Sequence, residues 1–362
     1  MGALSYNERV RHGSERTLRK APRSHGARSG GHEDDGPGGC YDAFSLDSDV
    51  KRAHVSAAST RLPAQVHVFV RDWLSSNHVL LKGRDGNVLI DSGYARHAPF
   101  TLALLASPQG LGSAPLARLV NTHCHSDHMG GNAAIKARYE CPITLPIGEA
   151  ALIDAWDEQT LLLAYTDQYA PRFVYDETIR PGETRVWGDL EWQALGAPGH
   201  DMGALVFYNP EHGILVSGDA LWANGYGFVM PSEIDAHALP ATRATLEMLS
   251  RLDIRIVIPG HGEPFVEVGA AFERAFARTA AFEADSLRVA RHALKVVLTF
   301  ALLDQRRLAL AAMPAYLERV GIYRDFNALF FRRPAAKLAE LLIGELERAR
   351  AVRREGEWLV PA

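Results

Sequence analysis

The sequence predicts an α/β layered domain followed by a mainly helical region, and three observations carry that expectation. Short apolar runs alternating in strand fashion are interleaved with helical segments between about residues 63 and 264. Ligand-type side chains recur where those strands stop. From about Gly269 the composition turns to helical periodicity that lasts almost to the end. At 362 residues the chain is too long for one comfortable core. We expect a disordered extension over residues 1–60, the layered domain over 63–268, and a helical C-terminal domain over 269–362 ending in a small β-hairpin.

The extension is expected because Arg9, Arg11, Arg16, Arg19, Lys20, Arg23 and Arg28 sit among Gly, Ser and Pro without apolar periodicity. No apolar stretch follows these basic residues, which argues against a secretory signal. In the layered part, Gln65–Arg71 and Asn77–Lys82 alternate as strands, Arg84-Asp85-Gly86 is a hairpin turn, and Asn87–Asp91 returns. A helix over Pro99–Ser107 leads to the buried strand ending Leu119-Val120. A helix over Asn132–Arg138 and a helical stretch over Ile147–Gln168 follow. Thr184–Trp187 and Leu190–Leu195 form a hairpin about Gly188-Asp189, Ala204–Tyr208 and Gly213–Ser217 another strand pair, and a helix over Leu239–Leu252 precedes the strand Arg255–Pro259. Beyond Gly269, helices are expected over Ser286–Leu303, Arg307–Val320 and Pro334–Arg350, with a final hairpin about Glu355-Gly356.

Composition narrows the class. The apolar fraction is 47%, the charged fraction 23% and the net charge −4, ordinary for a soluble globular protein and unlike a dedicated nucleic-acid coat. Three cysteines, Cys40, Cys124 and Cys141, offer no disulfide framework and point to a reducing cytoplasm. The longest apolar run, near Ala293–Leu303, is about half of what a membrane-spanning helix needs.

The chemistry lies in Asn121-Thr-His-Cys-His-Ser-Asp-His-Met-Gly-Gly131, just after the Leu119-Val120 strand. His123 and His125, two apart on extended backbone, can point the same way, and Asp127 and His128 follow as the chain turns. Imidazole nitrogen and carboxylate oxygen are ligands that Zn²⁺ and similar ions accept. Four such groups exceed what one tetrahedral ion can use while keeping a position open for water, so the cluster reads as half of a two-metal site. Gly130 and Gly131 suit a backbone that must approach something closely before a helix begins. His200, Asp219 and His261 each follow an apolar strand and a Gly or Pro, and read as the missing ligands. His67, His78 and His97 have no partners at ligand spacing and read as structural or surface residues.

With these motifs the chain resembles the metallo-β-lactamase fold superfamily over roughly Pro63 to Pro264: Thr-His-Cys-His-Ser-Asp-His-Met-Gly-Gly, Pro-Gly-His200, Gly-Asp219 and Pro-Gly-His261-Gly, with Asp91-Ser-Gly93 upstream. The resemblance implies a four-layer αββα sandwich with two metals between the sheets. It implies that His123, His125 and His200 hold one ion, that Asp127, His128 and His261 hold the other, and that Asp219 bridges them. Asp219 resembles the bridging residue of the glyoxalase II, lactonase and RNA-processing branches. His125 in place of a carboxylate departs from the diiron flavoprotein branch, and the His200–His261 spacing leaves no room for the inserted domain of the nucleic-acid-cleaving β-CASP branch.

The function so implied is a dinuclear metal-dependent hydrolase in which two divalent ions, zinc first but iron or manganese also suited, share a hydroxide that attacks a small thioester, ester or lactone. Asp127, both ligand and carboxylate, is the expected proton shuttle. No Gly-x-Ser-x-Gly elbow is present, so a serine nucleophile is unsupported. Trp222 and Tyr226 follow Asp219 in a Gly-containing loop and are candidate substrate-binding residues, the tyrosine as an oxyanion donor; loop packing is the alternative for both. Cys124, between two ligands, should face away and pack. Arg332, Arg333, Lys337, Arg348, Arg350, Arg353 and Arg354 could instead hold RNA phosphates in a metal-dependent endoribonuclease or phosphodiesterase, or be the solvated face of a helix. The acidic balance favours a small-molecule substrate, and a homo-oligomer is compatible with these features. An inactive binding module is disfavoured by the intact ligand set.

Overall fold

The computed structural model describes residues 62–362; the expected N-terminal extension and Cys40 lie outside the described residues. The first sheet holds six strands in the order β1-β2-β3-β4-β5-β6 (Val66–Phe69, His78–Leu81, Asn87–Ile90, Leu116–Val120, Ile143–Pro146 and Glu177–Ile179). The first three pair antiparallel and the rest run parallel. The parallel steps need helical crossovers; these are α1 (Ala98–Ala106), α2 (Ser126–Met129), α3 (Asn132–Tyr139), α4 (Ile147–Ala155) and α5 (Leu163–Thr166).

The second sheet, in the order β11-β10-β9-β8-β7, is built from Ile256–Pro259, Ile214–Gly218, Leu205–Asn209, Leu190–Gly196 and Thr184–Trp187, with α6 (Ala238–Leu249) crossing from β10 to β11. Both central turn residues of the β7–β8 hairpin, Gly188 and Asp189, have φ near +60°, as a two-residue turn matched to strand twist demands.

Side-chain parity explains the layers. Val79, Leu81, Val88 and Ile90 of the first sheet meet Leu205, Phe207, Ile214, Val216, Ile256 and Ile258 of the second. Their neighbours on the opposite pleat, Leu80 and Leu89, pack under α1, α3 and α4 with Leu105, Ile135 and Ile153. Val206, Leu215 and Val257 face the helices outside the second sheet. Strands buried on both faces read as continuous apolar runs, and the result is the expected αββα sandwich.

The C-terminal part comprises α7 (Val268–Glu283), α8 (Ser286–Gln305), α9 (Met313–Arg319), α10 (Gly321–Phe326), a π-helical turn over Asn327–Phe331 and α11 (Ala335–Arg348). Asp285 caps α8, accepting the Arg288 amide at 3.2 Å. The final hairpin is present as β13 (Val352–Glu355) and β14 (Trp358–Pro361). Apolar side chains of α7 through β14 belong to one cluster with the outer face of the second sheet. No described helix is long and apolar enough to cross a membrane.

Two expectations are corrected. The helical stretch over Ile147–Gln168 breaks after Ala155: Trp156 takes φ +48°, and the Asp157 carboxylate accepts from Gln159 N, Thr160 N and Thr160 Oγ1. An aspartate offering backbone amides that alternative competes with the helix. The helix expected over Arg307–Val320 begins only at Met313, where Pro314 occupies the first turn. Before it, Leu308–Ala309 form strand β12, paired with Leu359 and Trp358.

Candidate metal centre

The loops leaving β4, β8, β10 and β11 converge at one end of the sandwich. There His123, His125 and His200 form one group, and Asp127, His128, Asp219 and His261 a second; in each group one ligand atom per residue lies within 4.8 Å of the others. The seven residues predicted from the sequence are thus brought together without exception. His125 Nδ1 is 2.8 Å from His200 Nε2, and His261 Nε2 is 2.9 Å from Asp127 Oδ2. Asp219 faces both groups. Its Oδ1 is 3.3 Å from His128 Nε2 and 3.9 Å from His261 Nε2, while Oδ2 is 3.4 Å from His200 Nε2.

The backbone is shaped to permit this convergence. A Cβ on Gly130 would lie 2.4 Å from the Ala95 amide nitrogen, and one on Gly131 2.4 Å from the Ser92 carbonyl oxygen. Asn77 fastens the His261 loop to the first sheet: its amide group donates to the carbonyls of Pro259 at 2.9 Å and Gly262 at 2.7 Å.

The chain matches the family model described as the Metallo-beta-lactamase superfamily over residues 71–261, more than half of its 362 residues. It belongs to that superfamily. A hydroxyacylglutathione hydrolase of Bdellovibrio bacteriovorus is 29% identical over 112 residues, 31% of this chain but only 37% of that protein. The acyl-coenzyme A thioesterase MBLAC2 of Gallus gallus is 26% identical over 209 residues, 52% of this chain and 73% of the relative. A metallo-beta-lactamase family protein of Thermus thermophilus superposes with a TM-score of 0.51 at 21% identity, over 83% of this chain and 99% of that one, which shows the shared fold. The general chemistry of this class is metal-dependent hydrolysis.

Within this superfamily member the residues behind the ligands fix ring orientation. His128 Nδ1 donates to Asp91 Oδ2 at 2.8 Å. Asp91 also accepts from the Thr122 amide and hydroxyl, each at 2.8 Å. With its proton given to Asp91, the Thr122 hydroxyl accepts from His123 Nδ1 at 3.1 Å. His200 Nδ1 donates to the Phe228 carbonyl at 2.5 Å. Each contact leaves the other ring nitrogen aimed inward, the arrangement metal-ligating histidines adopt. The Nε2 atoms of His123 and His128 are buried with no hydrogen-bond partner. Orphaned buried nitrogens of this kind are costly unless something meets them, and divalent ions would.

Electrostatics agree with that fit. Burial, then the neighbouring His128 and His125 rings, pushes His123 well below the usual histidine range. Burial, then His200, lowers His125 to about 4. Both are therefore neutral, the form that ligates. Burial raises the Asp219 carboxyl, but the His128 and His261 rings outweigh it and hold the group well below its ordinary value. The same opposition lowers Asp127. Burial lowers His128 while Asp91, Asp219 and Asp127 raise it, and the carboxylates prevail. A proton there occupies a place that a cation would take.

A cavity of about 80 Å³ opens on both groups. Its apolar wall includes Trp73 and Trp222 from the sandwich and Val296, Val297 and Phe300 from α8. Trp222 reaches the site, donating its indole N–H to Asp219 Oδ1 at 3.2 Å. Tyr226 does not serve as an oxyanion donor: it is buried, and its hydroxyl is 2.9 Å from Thr279 Oγ1. Cys124 is buried among the apolar residues under the first sheet, as expected of a packing residue. His78 is fully buried, bonded to Arg71 and Thr101, and His97 pairs with Ser75. Sequence reasoning missed Trp73, which stacks on His261 with ring centroids 5.5 Å apart and planes 4° apart; nothing in its local pattern marks it.

Proposed function

We propose that this chain is a dinuclear metallohydrolase that cleaves a small thioester carrying an apolar acyl group, with esters and lactones as chemically related substrates. The observation that carries the reading is the apolar cavity facing both ligand groups. Along this cavity an acyl substituent would lie against Trp73, Phe228, Val297 or Phe300, and burying that chain contributes about 0.8 kcal/mol per methylene. The similarity to a hydroxyacylglutathione hydrolase and an acyl-coenzyme A thioesterase supports a thioester over other acyl compounds.

His123, His125 and His200 would hold one divalent ion and Asp127, His128 and His261 the other, with Asp219 between them. Zinc suits these ligands, as do iron and manganese. When bound, such ions supply Lewis acidity and a water activated near neutral pH. Net hydrolysis adds water across the acyl–sulfur bond: oxygen joins the acyl carbon, the carbon–sulfur bond breaks, and the thiol departs with a proton. Asp127 would carry that proton, a reading supported by its Oδ2 lying against His261 and its side chain lining the cavity.

RNA is the less supported substrate. Of the seven C-terminal basic residues, Lys337, Arg353 and Arg354 are paired with Glu340, Glu355 and Glu347. The deciding experiment assays an acyl thioester, an aryl lactone and single-stranded RNA side by side, with and without chelator. Thioester turnover that chelator abolishes and added zinc restores is expected; cleavage of RNA alone would overturn the reading.

A further inference from the structure

A thioester brings a carbonyl oxygen into the cavity, and that oxygen gains from a hydrogen-bond donor as charge develops on it. Tyr226 is turned away toward Thr279 and cannot be that donor. Among the described side chains that line the cavity outside the two ligand groups, those with polar atoms are Ser126, Thr166, Gln168 and Trp222. Three of them already have an acceptor for their proton. Trp222 donates to Asp219 Oδ1 at 3.2 Å, Thr166 to the Leu162 carbonyl at 2.5 Å, and Ser126 to Gln168 Oε1 at 2.5 Å. The Nε2 hydrogens of Gln168 remain.

The chain fixes this amide from both sides. Asp167 ends α5 in the left-handed region at φ +59°, which an aspartate tolerates better than most side chains. Its carboxylate accepts both arms of the Arg319 guanidinium, at 2.9 and 3.1 Å, so α9 holds the turn. The Gln168 backbone N–H closes onto the Leu163 carbonyl at 2.8 Å. At the other end, Ser126 stands in sequence between the ligands His125 and Asp127, and its bond carries the half-buried Gln168 carboxamide to the ligand cluster. The amide's orientation follows from Ser126. Among the described residues its hydroxyl has Gln168 Oε1 as its acceptor; a reversed amide would leave that buried proton without one.

We propose that Gln168 is a catalytic residue whose Nε2 donates to the acyl carbonyl oxygen of the substrate. The inference rests on the thioester reading above. As water adds to the acyl carbon, one electron pair of the carbonyl moves onto its oxygen, and it returns when the carbon–sulfur bond breaks. Gln168 keeps its protons throughout and meets the charge while it is there. In a cavity walled by apolar side chains, with little water to compete, such a bond is stronger than in bulk solvent.

The test uses the full-length, zinc-loaded protein, the hexanoyl thioester of N-acetylcysteamine, and two unreactive mimics of it. A ketone with methylene in place of sulfur keeps the carbonyl; a thioether lacks it. Gln168→Met fills similar space without a donor. It is expected to lower kcat roughly 10- to 100-fold and to weaken the ketone about 3- to 10-fold, while thioether binding and a content of two zinc ions stay as in wild type. Gln168→Leu should give the same pattern if the first variant does not fold. Wild-type turnover and ketone binding overturn the proposal and leave the thioester reading standing. A parallel loss of ketone and thioether binding, or of zinc, overturns it too, since Gln168 would then act only as a brace for Ser126 and the ligand turn. Wild-type protein that holds zinc and leaves the thioester intact overturns the reading of function and this proposal with it.

Discussion

Asp91 Oδ2 lies 2.8 Å from His128 Nδ1, and both side chains are buried. The same carboxylate accepts the Thr122 amide and hydroxyl, so one residue at the end of β3 orients ligands in both groups, His128 directly and His123 through Thr122. Asp91→Ala should lower the affinity of the protein for metal by about 10- to 100-fold. Chelator competition measures this, and an unchanged affinity would remove Asp91 from the argument.

Asp219 faces both groups, approaching His200 of the first and His128 and His261 of the second. Asp219→Ala should leave at most one ion bound and abolish hydrolysis, read by metal stoichiometry and turnover on the same sample. Two ions and full turnover in that variant would rule out the proposed bridging role.

Gly260 protects that carboxylate. A Cβ there would stand 2.3 Å from Asp219 Oδ1 and 2.9 Å from the His128 ring, so Gly260→Ala should displace both. The expected outcome is loss of metal comparable with Asp219→Ala in a protein that still folds, checked by metal content beside circular dichroism.

Val296 lines the cleft from α8 without belonging to the core cluster. Val296→Asp should raise KM for thioesters of longer apolar acids more than for an acetyl thioester, because a carboxylate placed against an alkyl chain costs its desolvation. Metal content should stay unchanged. Equal effects along an acyl-length series would mean that this wall does not touch the acyl group.

His292 gives a pH dependence away from the metal cluster. Burial first, then Arg278 and Lys295, lower its pKa to about 4, against about 6.5 in an unfolded chain. Between those values the unfolded state binds more protons, so stability is full above about pH 6.5 and declines as pH falls toward 4. His292→Gln should make the decline in Tm over that window shallower. Metal-free protein should be used for both curves.

The sandwich and its ligands were legible for local reasons. Strands buried on both faces leave apolar runs such as Ile256–Pro259, and each run ends at a glycine or proline before a ligand, so the sequence pattern and the site coincide at Gly260-His261. What could not be read depends on contacts between distant residues. The stretch after Ile147 has helical periodicity, but the turn Asp157 makes with Thr160 ends the helix sooner. Leu308–Ala309 is strand only because Leu359 and Trp358, about fifty residues later, pair with it. Tyr226 stood close to Asp219 in sequence, yet Thr279 on α7 draws its hydroxyl the other way.

Helix α8 turns Val296 and Phe300 toward the cleft and Leu294, Leu298 and Leu302 into the cluster shared with the second sheet, with Val297 belonging to both, while Arg96 of the sandwich grips Asp304 near its end at 2.6 Å. One rod thus serves as scaffold along one flank and as selector along the other. A lineage drifting toward new acyl groups could reshape the selecting flank residue by residue. It could not slide or tilt the rod to make room without unseating the scaffold, so its repertoire should widen by side-chain size and not by helix movement.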